Sequence, residues 1–532
     1  MRTILKNAKF FVEKGVFKEA TLIQDGFIKK VGTNDDFLKE DADRVIDLQG
    51  RTVLPGLNDS HLHLSLMGEF MSMCDLTPAR SIEEIITIGR EFIKANPKIR
   101  ILKGRGWNQD YFTKGDIRNL NRHDLDKISC DIPIIFERVC LHLASSNSKA
   151  IELLNLEENP KVIGGIIELG EDNLPNGIFK EYAVKLIKSI TPKKQDQEIE
   201  EEILKAMEYC ISQGITSVGS CDIMNNDYQQ IFRVIHKIYR EKKTSLRYSH
   251  QFNFQNLEDF KEYLGTEFKN KDYDDVFLSR GSLKLFKDGS LGARTALLKE
   301  AYRDDPSTKG LDSLDDKTLK SLVELAHKNK IQVLTHAIGD GAIESLIDIY
   351  SKVNSKKKNK YRHSIVHCQI TTKEQIQRIS DEELSVLVQP IFLDYDIQIA
   401  ASRVGEVLAE TSYAFNSLYN SKARLSLSSD SPIEAADPFP NIHCAVNRSR
   451  LDGPLEKDFS PKEKMNIESA IDAYTAGSAF NEFKEDRKGK LREGFFADLI
   501  VIDRDIFSID PLEIKDIKVE KTMIYGQFVF ER

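Results

Sequence analysis

The chain has 532 residues, 40% hydrophobic and 30% charged, a balance that lets a large core form without disulfide staples. Its 76 basic and 84 acidic residues leave a net charge of −8, so no basic excess exists to neutralise phosphates and nucleic acid is not expected as a partner. No run of about 18 or more apolar residues occurs, and the opening MRTILKNAKFFVEKG lacks a cleavable apolar stretch, so neither a membrane partner nor a signal peptide is expected.

Seven cysteines are scattered as Cys74, Cys130, Cys140, Cys210, Cys221, Cys368 and Cys444, with no CxxC pair. That usage fits reduced thiols in a cytoplasmic protein.

In chain order, ILKNAKFFV (4–12), ATLIQDGFIKKVG (20–32) and RVIDLQGRTVL (44–54) read as short strands broken by Gly, Asn and Asp. Such strands cannot fold alone. GKLREGFFADLIVIDRD (489–505) and VEKTMIYGQFVFE (519–531) have the same texture, so residues 1–55 and 480–532 are expected to form one composite β-sandwich. Between them, helical and strand patterns alternate. Helices are expected over 195–213, 318–330 and 340–350 from apolar residues at 3.6-residue spacing. Strands are expected at LNDSHLH (57–63), ITSVG (215–219), LRYSHQF (246–252), SLKLF (282–286), QVLTH (332–336), SIVH (364–367), SVLVQ (385–389) and RLSLSS (424–429). That makes eight if residues 70–195 are an insertion, with strands RILKGRG and IPIIFERV of its own. The fold expected is α/β: a (β/α)8 TIM barrel over 56–479, a β-sandwich made by both chain ends, and a small insertion domain after barrel strand 1. The run KKKNK at 356–360 reads as a solvated turn.

His61 and His63 stand at i and i+2 on the first strand, so both side chains leave the same face. Imidazole pairs suit zinc and other first-row metals, although HxH alone is a weak signal. Lys284, His336, His367 and Asp430 fall on or just beyond strands four, five, six and eight. In a barrel, strand C-termini form the mouth of the active site.

VLPGLNDSHLHL, KLFKDGSLGARTALL, THAIGDGAI, HSIVHCQ, SSDSPIE and the closing AYTAGSAF with GKLREGFFADLIVID occur in that order. Together they resemble the amidohydrolase superfamily and, within it, amidohydrolase family 3, the YtcJ-like metal-dependent hydrolases. The resemblance implies one or two divalent ions, zinc foremost. His61, His63 and Asp430 would hold one, His336 and His367 the other, and Lys284, as a carboxylated lysine, would bridge them. A bare ammonium beside two dications would be repelled, and the alternative for Lys284 is an ion pair with Asp288. The implied reaction is hydrolysis of an amide or related C–N bond in a small molecule, with metal-activated water and Asp430 moving the proton. A deaminase, a cyclic-amide hydrolase or a non-catalytic regulator on the same scaffold are the rival readings. The resemblance also implies a homodimer and places His142 near the active site as a catalytic residue that would orient the substrate or an oxyanion, with a surface role as its alternative. Trp107 and Tyr111 are candidate pocket residues, with core packing as the alternative for Trp107. Arg294 is a candidate for a polar substrate group, with a salt bridge as its alternative. Asp340 is expected to cap a helix, and His327 to lie at the surface. Val366 stands where the family commonly has Glu, and Cys140 where it is more often polar.

Overall fold

A computed structural model describes the chain except residues 141, 157–161, 163, 225–227, 356–357 and 454–458; the start of the KKKNK run therefore lies outside the described residues. The chain divides into two compact units, one of Met1–Met67 with Ile203–Arg532 and one of Gly68–Glu202.

The larger unit is built around eight parallel strands. They are β1 (Leu57–Leu62), β2 (Ile215–Met224), β3 (Arg247–Asn253), β4 (Leu278–Phe286), β5 (Val333–Ala337), β6 (Ser364–His367), β7 (Ser385–Val388) and β8 (Arg424–Leu427), each paired with its neighbour in chain order. β8 returns to β1: Ser60 Oγ donates to Leu427 O at 2.9 Å, and Asp430 N donates to His61 O at 3.0 Å. The sheet is thus closed as the expected (β/α)8 barrel. Helices follow the strands on the outside, among them Tyr228–Arg240, Asp316–Lys328, Asp340–Val353 and Lys373–Asp381. Their apolar faces and the outward side chains of the strands make one continuous core.

Strands buried on both faces need not be apolar throughout. All of β3, RYSHQFN, is buried, so its polar side chains must find partners inside the protein. β2 continues past the expected Gly219 to Met224 because residues 220–223 are equally buried. β4 begins four residues before the expected Ser282, with a register shift against β3 between Ser249 and Gln251. Gly281 permits that bulge at φ +75°, its Cα lying so close to His250 that a Cβ would fall 1.6 Å from His250 O.

Both chain ends meet in one six-stranded sheet. Leu499–Ile502 lies between Thr52–Pro55 and Val519–Ile524, and Lys9–Glu13 pairs with the other edge of Thr52–Pro55. A four-stranded sheet of N-terminal residues packs on it through Leu5, Ile23 and Ile28 against Phe10, Val53 and Leu499. The Gly68–Glu202 unit has its own six-stranded sheet and its own core around Trp107 and Phe136. No helix among the described residues is long and apolar enough to cross a membrane.

Two expectations are corrected locally. Asp340 does not cap its helix: Gly339 holds the N-cap position, and the Asp340 carboxylate accepts from Lys299 N at 3.0 Å. His327 is half-buried rather than exposed, with Nδ1 3.0 Å from His363 Nε2, because its ring packs against Tyr361 and His363 just before the strand that starts at Ser364.

Candidate metal centre

The ends of β1 and β8 bring three ligand-type side chains to one point. His61 lies on β1, and His63 follows it at the start of the helix Leu64–Met71. Asp430 stands three residues past β8 at φ +57°, a conformation Asp tolerates better than most residues. His61 Nε2 and His63 Nε2 each lie 3.3 Å from Asp430 Oδ1. Ligand atoms at about 2.05 Å from a tetrahedral ion stand about 3.3 Å apart. His61 Nε2 and Asp430 Oδ1 are buried without any hydrogen-bond partner, an expensive arrangement unless a cation satisfies both. Among the described residues His61, His63 and Asp430 form a group able to hold a metal ion.

The other candidates lie beside this group. The His367 ring is 6.0 Å from that of His61 and 4.4 Å from that of His336. His367 ends β6 at φ +75° and Cys368 follows at +49°, so the chain turns through two left-handed residues there. Lys284 projects from β4, fully buried, with Nζ 3.7 Å from the Phe286 ring centroid and no hydrogen-bond partner. It does not pair with Asp288, whose carboxylate instead accepts from the backbone N–H groups of Leu297, Ile338 and Gly339.

Electrostatics follow from that packing. Burial would raise the Asp430 carboxyl, but the adjacent His61 and His63 imidazoles outweigh it and hold it well below the usual carboxylate range. Burial likewise opposes charge on His63, yet Asp430 and the Cys221 contact raise it well above the ordinary imidazole value. His61 is pushed down to about 4 by burial and then by the Lys284 charge. His367 falls well below its ordinary value through burial and the neighbouring His336. Burial lowers Lys284 to about 8, which makes its neutral, nucleophilic amine accessible near neutral pH.

Each imidazole is also held from behind. His63 Nδ1 lies 3.0 Å from Cys221 O, and His336 Nε2 lies 3.0 Å from Gly289 O. His61 Nδ1 meets Gln251 Oε1 at 2.5 Å, and His367 Nδ1 meets Gln389 Oε1 at 2.7 Å. Neither glutamine emerges from the ligand pattern. Their sequence signal is a polar side chain within or directly after a strand of buried residues.

The remaining candidates belong to the other unit or are already committed. Trp107, Tyr111 and His142 belong to the Gly68–Glu202 unit. Trp107 is fully buried in that unit's core and donates Nε1–H to Phe136 O at 3.2 Å. Tyr111 is 58% exposed. His142 is exposed and keeps Nδ1 2.9 Å from Glu181 Oε2. Arg294 makes a two-point ion pair with Asp304, at 3.2 and 2.9 Å. Val366 is buried beside Leu334 and Leu387, so the position adds apolar packing to the strands that carry the histidines.

A closed parallel barrel with imidazoles, a carboxylate and a buried lysine at the C-terminal strand ends defines a metal-dependent hydrolase centre. The model of the Amidohydrolase family matches residues 44–530, and the chain belongs to that family. It is 32% identical over 529 residues to the putative amidohydrolase YtcJ of Bacillus subtilis (strain 168), covering 98% of this chain and 97% of that protein. The N-substituted formamide deformylase of Arthrobacter pascens is 23% identical over 527 residues, covering 97% and 95%. A solved structure described as an uncharacterized metal-dependent hydrolase from Pyrococcus furiosus superposes with a TM-score of 0.79 at 30% identity, covering 96% of this chain and 100% of that one.

Proposed function

We propose that this hydrolase cleaves an amide or related non-peptide C–N bond in a small molecule, using one or two divalent ions, zinc foremost. The observation that carries the reading is the orphaned pair His61 Nε2 and Asp430 Oδ1, with His63 Nε2 at the same carboxylate oxygen. These three would hold one ion. His336 and His367 would contribute to a second, with Lys284 between the sites as its carbamate. That carbamate forms when the neutral amine adds to CO2 and releases one proton, and burial has already brought the amine towards neutrality. When bound, a divalent ion lowers the pKa of water from about 15.7 towards 7 and polarises a carbonyl oxygen.

The chain's own groups supply the rest. Asp430, ionised at neutral pH, accepts a proton from water and delivers it to the leaving nitrogen. His142, steadied by Glu181, is proposed to orient the substrate or an oxyanion, and the exposed Tyr111 to contact the substrate. Trp107 acts through packing, and Arg294 is occupied by Asp304. The choice of a C–N bond draws on the name of the Arthrobacter pascens relative. A cytoplasmic location fits seven free cysteines, and a homodimer completes the proposal.

The test is elemental analysis of chelator-free protein followed by a screen of N-acyl and formamide substrates. One or two zinc ions per chain and turnover of a substrate in that screen are expected. Asp430→Ala should then lose about 10²–10⁴-fold in turnover, and His61→Ala should lose bound metal, both with unchanged circular dichroism. A wild-type chain that holds and rebinds no metal overturns the reading.

A further inference from the structure

Two histidines of the centre, on strands separated by β7 and β8, are backed by the same device. His61 on β1 has Nδ1 against Gln251 Oε1 of β3, and His367 on β6 has Nδ1 against Gln389 Oε1, directly after β7. Both glutamines are buried, at 3% and 2% exposure. Each amide is oriented by a second bond. Gln251 Nε2 donates to Ser60 O at 2.8 Å, and Gln389 Nε2 donates to Ser428 Oγ at 2.7 Å. A backbone carbonyl only accepts, so Gln251 must present its oxygen to His61. The Ser428 hydroxyl is directed towards Val388 O at 3.4 Å and is free to accept from Gln389. An amide oxygen needs an N–H opposite it. Both rings are therefore held as Nδ1–H tautomers with the Nε2 lone pair free, and His61 Nε2 is the orphaned atom at Asp430.

We infer that Gln251 and Gln389 are paired positioning residues that fix the donor nitrogen of His61 and His367, and that the neutral amide at Gln389 holds metal less tightly than a carboxylate there would. The inference rests on the metal reading above and deepens it. Partners behind metal-bound histidines orient the ring and raise its basicity, and their loss costs about 10–100-fold in metal affinity. An amide orients as well as a carboxylate but withdraws less of the Nδ1 proton. The ions would therefore be ordered yet exchangeable.

The two positions respond differently to a carboxylate, and that asymmetry is the test. In Gln389→Glu, the Ser428 hydroxyl can rotate and donate to the new oxygen, and the facing carbonyl, Leu387 O, stands farther off at 3.4 Å. In Gln251→Glu, the new oxygen faces the Ser60 carbonyl, and two acceptors repel. Zn2+ affinity is measured on the full chain by competition with a chromophoric chelator. Gln389→Glu is expected to bind about 10-fold tighter and Gln251→Glu more weakly than wild type. Gln251→Met and Gln389→Met should each lose about 10–100-fold. Independently of metal, 15N-histidine NMR on the metal-free chain should show Nδ1–H at His61 and His367. Unchanged Zn2+ affinity in all four variants, with wild type binding normally, overturns the inference and leaves the metal reading standing. Nε2–H signals at both histidines overturn it too. If wild type binds no Zn2+, the metal reading and the affinity role fall together, and the NMR spectrum decides the tautomers alone.

Discussion

Asp396 shows what a single buried charge does to this fold. Its residue is 9% exposed, and Oδ2 accepts from Tyr413 O–H at 2.7 Å and from Gln369 Nε2 at 3.4 Å. Burial pushes the carboxyl up to about 6 from 3.8, against the pull of the Tyr413 hydroxyl. Between those two values the native state keeps a proton that the unfolded chain has lost. Native stability is therefore favoured below about pH 4 and falls as pH rises through about 6. A shift of about two units corresponds to about 3 kcal/mol at most. Asp396→Asn keeps an oxygen for both donors and removes the charge. Its melting temperature should decline less than that of wild type from pH 4 to 7, leaving it more stable at pH 8; coincident profiles would refute this. Asp59 and Glu434, both pushed up to about 7 by burial, keep a residual slope of the same sign. At this scale the ligand-type residues were legible because His, Lys and Asp stand at strand ends where the barrel needs no such side chains. Gln251 and Gln389 were not, because an amide inside a strand acquires meaning only from what faces it.

At the scale of elements, β4 owes its inward face to one glycine. Ser249 of β3 pairs with Ser279 and Gln251 with Ser282, so β4 carries an extra residue between two positions of the same β3 face. The bulge therefore switches the face of β4 that lies beside Gln251 from odd to even numbers, and Lys284 shares that face with Ser282. Gly281 makes the switch at φ +75° with no room for a Cβ, since His250 O, C and N would lie within 2.8 Å of it. Gly281→Ala should cost about 3 kcal/mol or more in urea unfolding, through strain and backbone overlap. Gly265→Ala, where a Cβ meets nothing and φ is not positive, serves as the control and should be near neutral. Equal effects of the two substitutions would remove the bulge from the account. The periodicities of 2 and 3.6 made all eight strands and the principal helices readable. The bulge was hidden because Gly281 looks the same in sequence whether it bends a strand or only interrupts one, and the extents of β2 and β4 depended on burial that no local pattern encodes.

For the larger unit as a whole, the joining of the two chain ends was readable from their shared texture, since strands that cannot fold alone must find one another. Its energetic consequence lies in contacts between residues distant in sequence. Arg247 begins β3, and Asp498 directly precedes the C-terminal strand Leu499–Ile502. They form a two-point ion pair at 2.7 and 2.9 Å, with side chains only 4% and 5% exposed. The guanidinium lies 4.1 Å from the Phe496 ring centroid and donates to Val276 O at 2.8 Å, while Asp498 also accepts from Tyr525 N at 2.8 Å. This pair binds the barrel to the composite sandwich. Breaking it from one side strands a buried charge, so Asp498→Ala should destabilise the chain by about 3–5 kcal/mol in denaturant titration. The exposed pair Arg100–Glu198, at 49% and 43%, gives the contrast, and Arg100→Ala there should cost under about 1 kcal/mol. Arg247→Met combined with Asp498→Ala removes the stranded charge and should recover part of the loss. A double variant as unstable as the sum of its singles would mean that the two ends of the chain are held by packing and not by this pair.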